Sequence, residues 1–84
     1  MFTIQTLIDV ADAYKVAAGT PRDSTVSSRV FADSKKLTAL RGTADITTGR
    51  YNAALRWFAD NWPADAPMPE PLREFVAAAR SNAA

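Results

Sequence analysis

The 84-residue sequence predicts an all-α fold: a compact bundle of four or five short helices containing a helix-turn-helix. Two observations carry that expectation. Apolar residues recur at three- and four-residue spacing in separate short segments, and each segment is bounded by a capping side chain, a glycine or a proline. No stretch reads convincingly as a strand, and no internal repeat is present.

The first helix is the clearest. Ile4, Leu7, Ile8, Ala11, Tyr14 and Ala18 fall on one side, and Asp9, Asp12 and Lys15 on the other. Thr3 or Thr6 can cap its start, and Gly19 followed by Pro21 ends it. A short second helix starts at Asp23 or Ser24 and presents Val26, Val30 and Phe31 inward. Ala32-Asp33-Ser34 breaks that periodicity. Asp33 and Ser34 are both good N-caps, so a third helix is expected from there, with Leu37 and Leu40 inward and Gly42 as its stop. A fourth helix is capped by Thr47 or Thr48, buries a stripe of Tyr51, Ala54, Leu55, Phe58 and Trp62, and ends at Pro63. PADAPMPEP, residues 63–71, holds four of the five prolines and is expected to be extended. Pro71 suits the first turn of a last helix whose face is Leu72, Phe75, Val76 and Ala79, with a frayed SNAA end. The expected organisation is a helix-turn-helix domain over residues 1–63 and a proline-rich linker plus C-terminal helix over 64–84.

Composition removes several kinds of chemistry. The chain has no cysteine and no histidine, so disulfides, thiolate nucleophiles, zinc-finger ligand sets and imidazole acid–base catalysis are excluded. Its carboxylates are scattered helix-surface residues, with no nucleophile–base pair, glycine-rich phosphate loop or metal-ligand cluster. The expectation is a non-enzyme without metal, cofactor or small-molecule ligand. MFTIQTLIDVADAY has no basic leader before an apolar block, and no apolar run approaches the ~20 residues that span a bilayer. A soluble, cytoplasmic protein is expected. The net charge is only +1, but the span from Arg22 to Arg56 carries +4 and the flanks −3. A basic middle between acidic ends suits an anionic partner, although solvated helix faces explain it equally well.

The central spacing is the most informative feature. A helix-turn-helix needs two apolar residues four apart on its first helix, with a small residue after the first of them. A small apolar residue then occupies the turn, and two apolar residues three apart follow on the second helix. Val26, Ser27, Val30, Ala32, Leu37 and Leu40 occupy those positions. In FADSKKLTALRG, residues 31–42, the two leucines are fixings, which leaves the opposite face free for the major groove. Ser34, Lys35, Thr38 and Ala39 are the expected base-contacting residues. Lys36 and Arg41 at the flanks suit phosphates, with Arg22 and Arg29 as weaker candidates. One position departs from the pattern. The turn site usually given to glycine is Phe31 here, so either the turn has another shape or Phe31 wedges into the core.

With a helix before this pair and TADITTGRYNAALRWF after it, the chain resembles the Cro/CI class of phage-repressor-like (XRE-type) domains over roughly residues 3 to 62. The resemblance lies in the pattern of short polar loop, threonine cap and amphipathic helix. It implies a compact helical domain that binds double-stranded operator DNA, usually as a homodimer on an inverted repeat. The chain also looks like the small regulators carried by mobile elements of alphaproteobacteria. In TTGR the helix start leaves amides unpaired, and Thr47, Thr48 and Arg50 are expected to hold a phosphate there, although simple capping explains either threonine as well. Trp57 points about a quarter turn from the buried stripe. It either packs under the proline segment or, with Leu72, Phe75, Val76 and Ala79, meets a second subunit.

The function expected is a transcriptional regulator, either a repressor or a repressor–activator switch. The alternatives are a helix-turn-helix module that sequesters another regulatory protein, in the manner of an antiactivator or antitoxin, and a recombination directionality factor.

Overall fold

The computed structural model describes residues 3–20, 22–42 and 44–82. The expected roles of Pro21 in ending the first helix and of residues 83–84 in a frayed end lie outside the described residues, as does Thr43 in the loop.

The first helix, α1 (Ile4–Ala18), starts on a reciprocal cap. The Thr3 hydroxyl accepts from the Thr6 amide at 3.2 Å, and the Thr6 hydroxyl accepts from the Thr3 amide at 3.2 Å. Both threonines therefore serve, with Thr6 doing what a glutamate does in the usual capping box. At the far end Gly19 takes the left-handed φ of 67°, and the Thr20 amide reaches back to the Lys15 carbonyl at 3.0 Å. The inward face is wider than its spacing suggested, because Val10 is also fully buried.

The next two helices are α2 (Asp23–Phe31) and α3 (Lys36–Arg41). Asp23 is the first helical residue rather than a cap, a place where a carboxylate suits the helix dipole. The third helix is shorter than expected: Ser34 and Lys35 form a turn ahead of it instead of its first residues. Asp33 still organises that start, its carboxylate accepting from the Lys35 amide at 2.9 Å and its carbonyl from the Lys36 amide at 3.3 Å. The left-handed residue of the turn is Ala32, with φ 56°, and Phe31 closes α2 half-buried against the core. The departure at Phe31 is thus resolved by moving the positive φ one residue on, to the smallest side chain that has a Cβ.

In α4 (Thr48–Asn61) the cap is Thr47, whose hydroxyl accepts from the Arg50 amide at 3.2 Å. Ala54, Leu55 and Phe58 are buried. Trp62 is extended, with ψ 134°, as Pro63 demands of the residue before it. The last helix, α5 (Glu70–Asn82), has Pro71 in its first turn as expected.

These helices close around one core of Leu7, Val10, Ala11, Tyr14, Val26, Leu37, Leu40, Ala54, Leu55, Phe58 and Leu72. The α1 helix touches all four others. Two expectations change here. Leu72 is 0% exposed and fills the domain's own core, so it is removed from the dimerisation set. The segment from residue 64 folds back so that α5 packs on α1 and α4 as part of the same unit. Trp57 packs edge-on to Tyr14 with ring centroids 5.4 Å apart, and Trp62 meets the same tyrosine at 5.8 Å. Trp62, rather than Trp57, lines a groove with Pro67, Met68 and Pro69. Among the described residues no helix is long and apolar enough to cross a membrane.

Candidate nucleic-acid interface

The candidate site is built on the α2–α3 corner. Among the described residues α3 packs on α1 and α2 and on no other helix. Leu37 and Leu40 are 1% and 2% exposed, while Ser34, Lys35, Thr38 and Ala39 are all exposed. The two leucines thus anchor a six-residue helix whose other side stands open.

The corner is held by Ser27, which is fully buried. Its hydroxyl donates to the Asp33 carbonyl and accepts from the Leu37 amide at 2.9 Å. One side chain on α2 therefore satisfies the turn and an otherwise unpartnered amide in the first turn of α3. Spacing marked Ser27 only as a small residue. Its role as the hub of the corner follows from being a hydroxyl in an apolar interior, where it must find partners.

The flanking cations divide into two groups. Arg41 turns inward across the end of α3. Its guanidinium bonds Asp12 on α1 and, through Nε at 2.8 Å and Nη2 at 3.1 Å, Asp23 on α2. Lys15 joins them, with Nζ 2.6 Å from Asp23 and 3.9 Å from Asp12. The result is a neutral cluster of two acids and two bases drawn from three helices. The hydrogen bond from Lys15 does most to hold the Asp23 carboxyl below its ordinary value, with Arg41 adding to it against the opposing effect of burial. Asp12 first and then Asp23 raise the Arg41 guanidinium further above its already high value. Arg41 was expected on a phosphate; here its donors are committed within the domain. Nothing in the spacing announced this, because its partners lie 18 and 29 residues away.

Lys36 reaches the Asp45 carbonyl with Nζ at 2.9 Å, tying α3 to the following loop. Arg22, Lys35 and Arg50 are exposed and form no ion pair among the described residues. Arg29 is also exposed, with Nη1 3.5 Å from the Tyr14 hydroxyl. At the start of α4, Thr47 is occupied in its cap while Thr48 and Arg50 are open to solvent. The Tyr51 hydroxyl donates to the Thr3 carbonyl at 2.7 Å, joining the beginnings of α1 and α4.

Of the remaining dimerisation candidates, Phe75, Val76 and Ala79 are half-buried. They line a groove with Met68 and, from α4, Arg56, Ala59 and Asp60. Trp57 lies in the aromatic group around Tyr14, half-buried.

No family model matches the chain, and no curated protein or solved structure matches it either.

Proposed function

We propose that the chain is a sequence-specific, double-stranded-DNA-binding transcriptional regulator of the Cro/CI kind, acting in the cytoplasm as a repressor or a repressor–activator switch. The observation that carries this reading is that α3 buries two leucines while Thr38 and Ala39 on its other side, with Ser34 and Lys35 in the turn that leads into it, stand open. A helix pinned along one side and bare along the other is what the major groove accepts. Lys35 is the residue for a guanine edge, Ser34 and Thr38 bond bases more permissively, and Ala39 lies against a thymine methyl. Lys36, Arg22, Arg29, Arg50 and the Thr47–Thr48 helix start supply phosphate contacts, which carry most of the affinity.

The functional unit in this reading is a homodimer on an inverted repeat. Phe75, Val76 and Ala79 are its contact residues. Arg56 and Asp60 line the same groove, and in a two-fold dimer the arginine of one copy pairs with the aspartate of the other.

The test is a gel-shift titration with duplex DNA from upstream of the chain's own gene. Saturable binding is expected at moderate salt, weakened for Lys35→Ala on the preferred sequence but little changed on random DNA. Binding indifferent to sequence contradicts the regulator.

A second reading has a specific observation behind it. With Arg41 and Lys15 neutralised internally, the basic surface is smaller than the sequence suggests. That favours a helix-turn-helix surface that captures another regulatory protein. On this reading the same titration shows no binding up to tens of micromolar, and a pull-down returns a single protein.

A further inference from the structure

Arg41 stands at an edge that the proposed DNA-binding strip needs. Thr38 and Arg41 lie three residues apart on α3 and so share one side of it, and the arginine continues the row that leads off the strip. A backbone phosphate flanking a groove-bound α3 on that side would approach the guanidinium. The guanidinium is already engaged by Asp12 and Asp23, and the Asp12 side chain is 48% exposed at the same edge. A phosphate and these carboxylates compete for one planar donor array, since both accept the paired N–H groups of arginine.

We propose that Asp12, with Asp23, holds Arg41 in reserve, so that the affinity of this face for duplex DNA is governed by exchange of the Arg41 guanidinium between carboxylate and phosphate. The idea rests on the DNA-binding reading and adds a restraint to it. Asp12 and Asp23 are positioning residues: they act through Arg41 and touch no DNA. The two acids have different second duties. Asp23 begins α2 and bonds Lys15 at 2.6 Å, so it is needed to seat the helix. Asp12 is mid-helix, and its other cation stands at 3.9 Å. Asp12 is therefore the releasable half of the clasp. Its removal frees the Nη1–Nη2 edge of Arg41 for a phosphate, while the Nε–Nη2 edge stays on Asp23 and keeps α3 in place.

The experiment is a double-mutant cycle read by fluorescence anisotropy with a labelled duplex at several salt concentrations. The proteins are the full chain, Asp12→Asn, Arg41→Gln and the pair together, each first shown to melt cooperatively above the assay temperature. The expected result is that Asp12→Asn tightens binding roughly three- to tenfold and steepens the plot of log K against log salt by ~0.9, the increment of one added phosphate contact. In the Arg41→Gln background the same change should alter affinity less than about twofold. An equal gain with and without Arg41 overturns the proposal, because that is plain removal of a negative charge. So does an unchanged affinity and slope in Asp12→Asn when the unmodified chain binds DNA. An unmodified chain that binds no duplex even at low salt contradicts the DNA-binding reading itself, and the restraint with it. A melting temperature lowered in Asp12→Asn without a change in slope marks the cluster as structural and also overturns it.

Discussion

Ser27 is a single hydroxyl on which the α2–α3 corner turns. It sits in an apolar interior, and its two bonds run to the turn carbonyl of Asp33 and the α3 amide of Leu37. Ser27→Ala keeps the volume nearly constant and leaves that amide buried and unpaired. The expected cost is ~1–3 kcal/mol, read from the midpoint of a urea titration at constant slope. Ala32 makes the opposite case. Its φ of 56° places a Cβ in the left-handed region, where glycine is free of the clash that follows. Ala32→Gly is therefore expected to stabilise the chain by ~0.5–1 kcal/mol, since relief of strain outweighs the added freedom of the unfolded chain. A lowered midpoint for that variant would mean the turn relies on the alanine methyl for packing. Both residues were visible in the sequence as small residues at helix-turn-helix positions. What was not visible was which of Phe31 and Ala32 would take the positive φ, because that depends on how Phe31 finds room against the core.

At the scale of elements, the helices and their stops were legible from caps, glycines and prolines. The threonine box at Thr3–Thr6, Gly19, Thr47 and the Trp62–Pro63 break act where local chemistry says they should. The exception is α3, which starts at Lys36, two residues later than an Asp33 cap implies and one later than a Ser34 cap implies. The Asp33 carboxylate closes a turn on Lys35 instead of capping a helix, and the same side chain chemistry permits either outcome. The clasp that joins α1, α2 and α3 was not legible at all. Asp12 and Lys15 read as outer-face charges of α1, Asp23 as a helix start and Arg41 as a phosphate contact until tertiary packing brings them together. The clasp has a pH signature. The folded Asp23 carboxyl lies below its unfolded value of about 3.9. Its contribution is thus fully present above the unfolded value and is lost as the pH falls through the folded one. Asp23→Asn is expected to lower stability by ~1 kcal/mol at pH 7, in keeping with a partly exposed pair. The difference from the unmodified chain should shrink below pH 4 and be gone once the folded carboxyl is protonated. Thermal melts of both proteins across that range check it. A gap that stays constant with pH would assign the loss to packing or capping rather than to charge.

The whole molecule is one core with one open helix. Its radius of gyration, 12.3 Å, is close to the ~12 Å of a compact chain of this length, as expected when α5 folds back onto α1 and α4. The proline-rich stretch made residues after 63 look like an appendage, because periodicity identifies an apolar face without saying what covers it. Leu72 shows that the domain itself covers the centre of that face, leaving the half-buried Phe75, Val76 and Ala79 at its margin. The site follows the same rule. The inward leucines and the outward strip could be read from spacing, whereas the fate of each cation could not. Of the flanking pair, Arg41 is committed to the clasp, Lys36 gives one of its three donors to the Asp45 carbonyl, and Lys35 stands open on the strip itself.

Contact between the open side of α3 and DNA is read residue by residue in an amide chemical-shift titration of the isotopically labelled chain with duplex DNA from upstream of its gene. The largest changes are expected on residues 34–39 and at the start of α4, while the amides lining the α4–α5 groove move little at the same saturation. Largest changes along α5, or no change at residues 34–39 at saturating duplex, would contradict it.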